Sequence, residues 1–388
     1  MAINVKCRLF FLLNFYIICV HGMVNSTYTL LFELLRFSLG YGKREGERVP
    51  LRLSQSEWQE VYNEAKRQSV LDVAYVAISK LSKDELPPKP VLMRWAAHAE
   101  TTRAMNKNMN EYAARLTEIF SKAGCRTAVL KGAANARLYP DPFSRQCGDV
   151  DLWVEGGHES VEKLLLDLKL ITTPEDTSLQ HHFHLPKNEN GIVAEIHFRP
   201  TAGNLFKERE FQAFMSKELL KSQLVPEGFY APSIKFALVM QLFHLQHHFY
   251  SGGLGLRQYM DYFVLLQNSS EAERKEALAV IDSLYMHKVC SAVMWLLGEV
   301  FKLDRHLMLC APDAWRGKWL LDDAVYGGNF GKHTAKQKMR PPKTKRWLRD
   351  RLRVIRLFPF DPVNVIFKEW KYWRLTLPLR IKRRRISL

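Results

Sequence analysis

The sequence predicts an α+β protein: a small mixed sheet with flanking helices, plus N-terminal and C-terminal helical regions. Three observations predict it. In Gly148-Asp149-Val150-Asp151-Leu152-Trp153-Val154, polar and apolar residues alternate with the period of a strand. Residues 182–185 and 192–198 read as two further strands joined by the turn Pro186-Lys187-Asn188-Glu189-Asn190-Gly191. Long stretches on either side carry helical periodicity, caps and proline stops. A chain of 388 residues, 47% hydrophobic and 25% charged, is ordinary for a globular protein with two or three structural units.

The elements follow in order. Lys6 and Arg8 precede an apolar run at 9–20 that is like a signal-peptide core and too short to span a membrane. Met23 offers a second start, so residues 1–22 are expected to be either a mis-assigned start or a signal-like segment. Residues 23–90 read as a helical region. It contains an apolar helix at 28–39 ending at Gly40, a capping box at Ser54-Gln55-Ser56-Glu57, and a linker with Pro87, Pro88 and Pro90. Residues 91–232 form the core. It opens with a long amphipathic helix at 91–122 and a strand at 126–130 ending in Lys131-Gly132. A helix at 133–139 is stopped by Pro140 and Pro142. The Asp-bearing strand, a helix at 160–168, a polar loop and the hairpin complete it. Residues 233–330 read as a second helical region, in which a glycine-rich loop feeds a helix pairing Arg257 with Asp261 at i,i+4. Residues 331–388 form a basic aromatic tail.

The chemistry gathers on the Asp-bearing strand. Asp149 and Asp151 stand at i and i+2 and point the same way, while Val150, Leu152 and Val154 point into a core. Two carboxylates side by side repel unless cations sit between them, and hard oxygen ligands suit Mg²⁺ or Mn²⁺. The main use of such a pair is to hold metal on a nucleoside triphosphate during phosphoryl or nucleotidyl transfer. Upstream, strand, Gly132 and helix form a phosphate seat. Lys131 adds a point charge and Arg145 a bidentate one; a plain turn with an exposed lysine is the simpler alternative. Glu195, central in its strand and facing with Val193 and His197, needs a partner. The metal at Asp149 and Asp151 would serve, and so would Arg199 or Lys131.

His184 and His197 are the histidines best placed near Glu195, and His244 and His248 share a helix face four residues apart. With no acidic ligand in the same turns, packed or hydrogen-bonded histidines are the expected reading, and His181, His182 and His184 read the same way. The six cysteines have no C-x-x-C spacing, which argues against a zinc ribbon and against a disulfide framework and suits a reducing cytoplasm. Cys147 beside the Asp pair has no base placed to activate it and reads as a small filler.

The ordered set Leu130-Lys131-Gly132-Ala133, Leu138-Tyr139-Pro140-Asp141-Pro142, Arg145-x-x-Gly148-Asp149-Val150-Asp151-Leu152, Glu195-Ile196-His197 and Gly255-Leu256-Arg257-x-x-x-Asp261 resembles the DNA polymerase β-like nucleotidyltransferase superfamily. Its finer pattern is similar to a largely uncharacterised bacterial group, over roughly residues 25 to 330. The resemblance implies a nucleotidyltransferase-like core, with Asp149 and Asp151 as the metal pair and Glu195 as the third carboxylate. Lys131, Gly132, Arg145, Gly148 and Arg257 would lie on the nucleotide and phosphate side, with the Arg257 helix closing over the site. The turn departs from the usual Gly-Gly or Gly-Ser in having Gly132-Ala133, and so lacks a hydroxyl. The implied activity transfers a nucleoside monophosphate from an NTP, ATP included, to an unidentified acceptor, with Mg²⁺ or Mn²⁺. Two alternatives stand: a catalytically inactive binding protein of the same fold, and a metal-dependent hydrolase built on the histidines.

Residues 331–388 carry 19 Lys and Arg against three Asp and Glu, so they hold all but one of the chain's +17 net charges. Trp347, Phe358, Phe360, Phe367, Trp370, Tyr372 and Trp373 are interleaved with them. Such a segment suits nucleic acid, an anionic membrane surface or an acidic partner, or packs its aromatics on the body. The expected location is cytoplasmic, peripheral on the membrane if the tail docks there.

Overall fold

A computed structural model describes residues 26–40, 53–173, 181–201, 205–251, 253–329, 358–371 and 373–374. The segment 1–22 and most of the basic tail lie outside the described residues. The fold is α+β, mostly helical around one small mixed sheet.

The N-terminal helices are α1 (Ser26–Ser38), α2 (Gln55–Arg67) and α3 (Leu71–Ile78). The capping box at the start of α2 forms, with the Ser54 backbone N–H donating to Glu57 at 2.8 Å. Helix α4 (Lys89–Lys122) begins on Pro88, so Pro90 sits in its first turn rather than in a linker. Proline is tolerated there because the first N–H groups have no helical partner.

The sheet comprises β1 (Thr127–Val129), β2 (Val150–Val154), β3 (His182–His184) and β4 (Ala194–His197), in the order β1-β2-β4-β3. β2 runs antiparallel to β1 and parallel to β4, and β3 closes the edge as an antiparallel hairpin with β4. Between β1 and β2, α5 (Ala133–Ala136) is a single turn, shorter than the helix the sequence predicts at 133–139. Leu138 and Tyr139 N–H donate to carbonyls three residues back before Pro140 ends the run. Helix α6 (Gly157–Asp167) follows β2 and starts earlier than expected, directly after a tight turn in which Gly156 and Gly157 both take positive φ.

Beyond the sheet come α7 (Glu208–Leu219), a small hairpin of β5 (Gln223–Leu224) and β6 (Tyr230–Ala231), and α8 (Ile234–Ser251). Then follow α9 (Leu256–Gln267), α10 (Glu271–Ser283), α11 (His287–Phe301) and α12 (Ala314–Gly327).

Alternation along the strands divides the interior into two cores. Val150, Leu152 and Val154 pack with Ala194 and Ile196 against Leu116 and Phe120 of α4 and Val161 and Leu165 of α6. The opposite faces of β1 and β2, through Ala128, Leu130 and Trp153, join a larger helical core. That core unites both ends of the described chain: Gln68 donates to the Ala324 carbonyl at 2.8 Å and Arg67 to the Val325 carbonyl at 2.6 Å. Phe360 is fully buried against Phe249 and Trp319, whereas Phe358, Trp370 and Trp373 of the same segment are exposed. Among the described residues no helix is long and apolar enough to cross a membrane.

Candidate active site

A cleft of about 690 Å³ opens between the sheet face opposite α4 and the helices α8 and α9. Lys131, Gly132, Arg145, Gly148, Asp149, Asp151, Glu195 and Arg257 all line it, so the structure brings every site residue expected from the sequence to one place.

Asp151 is the buried centre, 1% exposed. The parallel pairing of β2 and β4 sets it directly across from Glu195. Its Oδ2 takes the Lys131 ammonium and its Oδ1 faces His197 Nε2 at 3.1 Å. Burial alone would raise its pKa, but Lys131 and His197 more than offset that and hold the carboxyl far below the usual range. Asp149 precedes the strand and behaves in the opposite way. The neighbouring Asp151 charge, and then burial, push its pKa up. For Glu195 burial raises and the hydrogen bond to His197 lowers, and the net is a depressed pKa. Burial lowers the Lys131 pKa, yet the charges of Asp151 and Asp149 leave it raised. His197 is likewise depressed by burial but raised overall by Asp151 and Glu195.

The turn that carries Lys131 exists because of Gly132, whose φ of +66° and ψ of −104° suit only glycine. Its N–H side opens on a one-turn helix, so the macrodipole available to a phosphate is small. Arg145 is held by Asp261: Nε to Oδ1 at 2.6 Å and Nη2 to Oδ2 at 2.7 Å, with the Tyr139 hydroxyl donating to Oδ1 at 2.7 Å. The expected i,i+4 partnership of Arg257 with Asp261 is therefore superseded by one from across the fold. Arg257 lies close enough to feel the Asp261 charge, and its Nη1 donates to the Gln146 carbonyl at 2.8 Å. Burial, and then Arg145, lower the Arg257 pKa.

Histidine is what the sequence under-read. His181, His182 and His197 reach the cleft from the sheet, and His244, His247 and His248 from α8. The acidic neighbours that α8 lacks along its own turns come from Asp151 across the cleft. Burial pushes His244 well below its ordinary pKa and His248 down to about 3. Asp151, Glu195 and His197 place their ligand atoms within 4.8 Å of one another, as do His182, His184 and Glu195, and His181, His182 and His197. Paired carboxylates beside a buried ammonium, under a wall of imidazoles, can hold cations and an anionic substrate together.

No protein with a curated description matches the chain. Among solved structures, an antigenic nucleotidyltransferase-like protein from Paracoccidioides brasiliensis aligns with 53% of this chain and 95% of its own, at 13% identity and a TM-score of 0.31. A likeness that slight carries no argument. Residues 54–302, nearly two thirds of the chain, match the family described as uncharacterised nucleotidyltransferase, and to that family the chain belongs.

Proposed function

We propose that the protein transfers a nucleoside monophosphate from an NTP to an acceptor hydroxyl or phosphate, by a two-metal carboxylate mechanism of the DNA polymerase β-like kind. The observation that carries this is the register that sets Asp151 against Glu195, with Asp149 and Lys131 at the same end of the sheet. The donor set fits Mg²⁺ or Mn²⁺, being three carboxylates, and the Lys131 ammonium already lies where positive charge is wanted. Bound there, the ions would supply charge neutralisation and alignment of the triphosphate.

The chain's own groups do the rest. Asp149 and Asp151 would hold the cations, and Glu195 would complete one set or take the proton from the acceptor. Lys131, released from Asp151, meets the phosphate charge, and Gly132 lets the backbone approach it. Arg145 keeps the Gln146–Gly148 approach in place through Asp261, and Arg257 adds positive charge at the far side.

Titration of the full chain with each NTP, with and without Mg²⁺, following binding and pyrophosphate release, tests this. Asp149→Asn should spare the fold and lower turnover by about a thousandfold, several kcal/mol of transition-state stabilisation. Unchanged metal-dependent turnover in that variant would sink the assignment. NTP binding without pyrophosphate release would support the alternative, a catalytically inactive binding protein of the same fold.

A further inference from the structure

We propose that the β3–β4 hairpin carries a second metal site, built from His182, His184 and Glu195, that takes a divalent transition metal of the Zn²⁺ type. It lies beside the oxygen-ligated site and does not depend on nucleotide transfer. His184 is paired directly across from Glu195 in the antiparallel ladder, and His182 shares the face of His184 two residues away. His182 Nε2 and His184 Nε2 stand 3.3 Å apart, Glu195 Oε1 lies 3.8 Å from His184 Nε2, and Glu195 Oε2 lies 3.6 Å from His182 Nδ1.

A four-coordinate Zn²⁺ with bonds of about 2.0–2.2 Å separates its ligand atoms by roughly 3.3–3.6 Å. The His182–His184 separation matches that edge. The two separations to Glu195 are too long for hydrogen bonds, and the hydrogen bond between the two Nε2 atoms brings both imidazoles to the spacing an ion would bridge in its place. Two buried imidazole nitrogens, His182 Nδ1 and His197 Nδ1, also lack a hydrogen-bond partner among the described residues, and His197 is only 2% exposed. An ion on His182 Nε2 leaves its Nδ1–H facing Glu195 Oε2 at 3.6 Å.

Two imidazoles to one carboxylate favour Zn²⁺ and its neighbours over Mg²⁺, which prefers oxygen. The His184 side chain is 43% exposed, so one coordination position faces solvent, as in sites that keep a bound water. Glu195 belongs to both groups. Its Oε2 faces His197 at 3.5 Å and through it Asp151, while its Oε1 faces His184. An ion on the hairpin therefore draws on the same carboxylate as the inner site.

The test uses the full chain, stripped with chelator and titrated with Zn²⁺ and with Co²⁺ in excess Mg²⁺. Co²⁺ reports its geometry through its visible absorption. A single tight equivalent is expected, weakened about tenfold or more by His184→Ala and by His182→Gln, and unaltered in Asp149→Asn. The exposure of His184 makes its substitution safe for folding. The proposal is overturned by absence of stoichiometric binding, by wild-type affinity in His184→Ala, or by loss in Asp149→Asn alone. Loss in His248→Ala with retention in His184→Ala would place the ion on α8 and overturn it as well.

Discussion

Gly132 sets the position of Lys131 by backbone conformation alone. An added Cβ would meet nothing closer than the Asp149 carbonyl at 3.6 Å, an ordinary contact, so a side chain there costs strain rather than collision. Gly132→Ala is therefore expected to lose on the order of 1–3 kcal/mol in chemical denaturation and to weaken NTP binding as Lys131 is re-aimed. Asp149 gives a pH signature. Its raised pKa means that, as pH falls through it, a cation must displace a proton from the carboxyl. Apparent Mg²⁺ affinity should then drop by about tenfold per pH unit, a slope that calorimetric titration would find missing in Asp149→Asn. The Asp pair was legible from the sequence because a strand's period of two needs no knowledge of the fold. His197 was harder to weigh, since the groups that raise its pKa include Asp151 on another strand, 46 residues away.

Helix α8 presents His244, His247 and His248 to the cleft, and burial holds all three below the ordinary imidazole pKa. The linkage has a definite sign. A histidine depressed from 6.5 to about 3, as His248 is, supports the folded state above pH 6.5 and withdraws that support as pH falls toward 3. At pH 5 the loss is on the order of 1–2 kcal/mol for His248 alone. Urea midpoints measured at pH 7 and pH 5 should separate less in His248→Gln than in the parent chain; equal separation would contradict the assignment. Local chemistry made one helix start readable: Ser54 with Glu57 forms its capping box. The turn after Gly132 misled, because apolar residues at 133–139 suit a helix, yet Tyr139 leaves it to reach Asp261 on α9.

Across the whole molecule, Arg145, Asp261 and Tyr139 join the sheet half to the helical half directly behind the cleft. Asp261→Asn would leave a buried guanidinium without its counter-charge and should cost about 3–5 kcal/mol, read as a lower denaturation midpoint. Removing both charges together, as Arg145→Met with Asp261→Leu, should recover much of that stability while NTP affinity stays impaired. Neither the union of the terminal helices nor this ion pair was legible in advance, since each depends on residues more than a hundred positions apart. The pairing of β2 with β4 carries one more implication. A slip of β4 by one residue would swap Glu195 and His197 for Ala194 and Ile196 on the cleft side and drive the charged pair into the core beneath α4. No stable fold tolerates that exchange, so an assembled cleft doubles as a read-out of correct strand alignment. Length changes are then admissible in the turn at residues 186–191, where slack falls outside the ladder, and inadmissible within β4 itself.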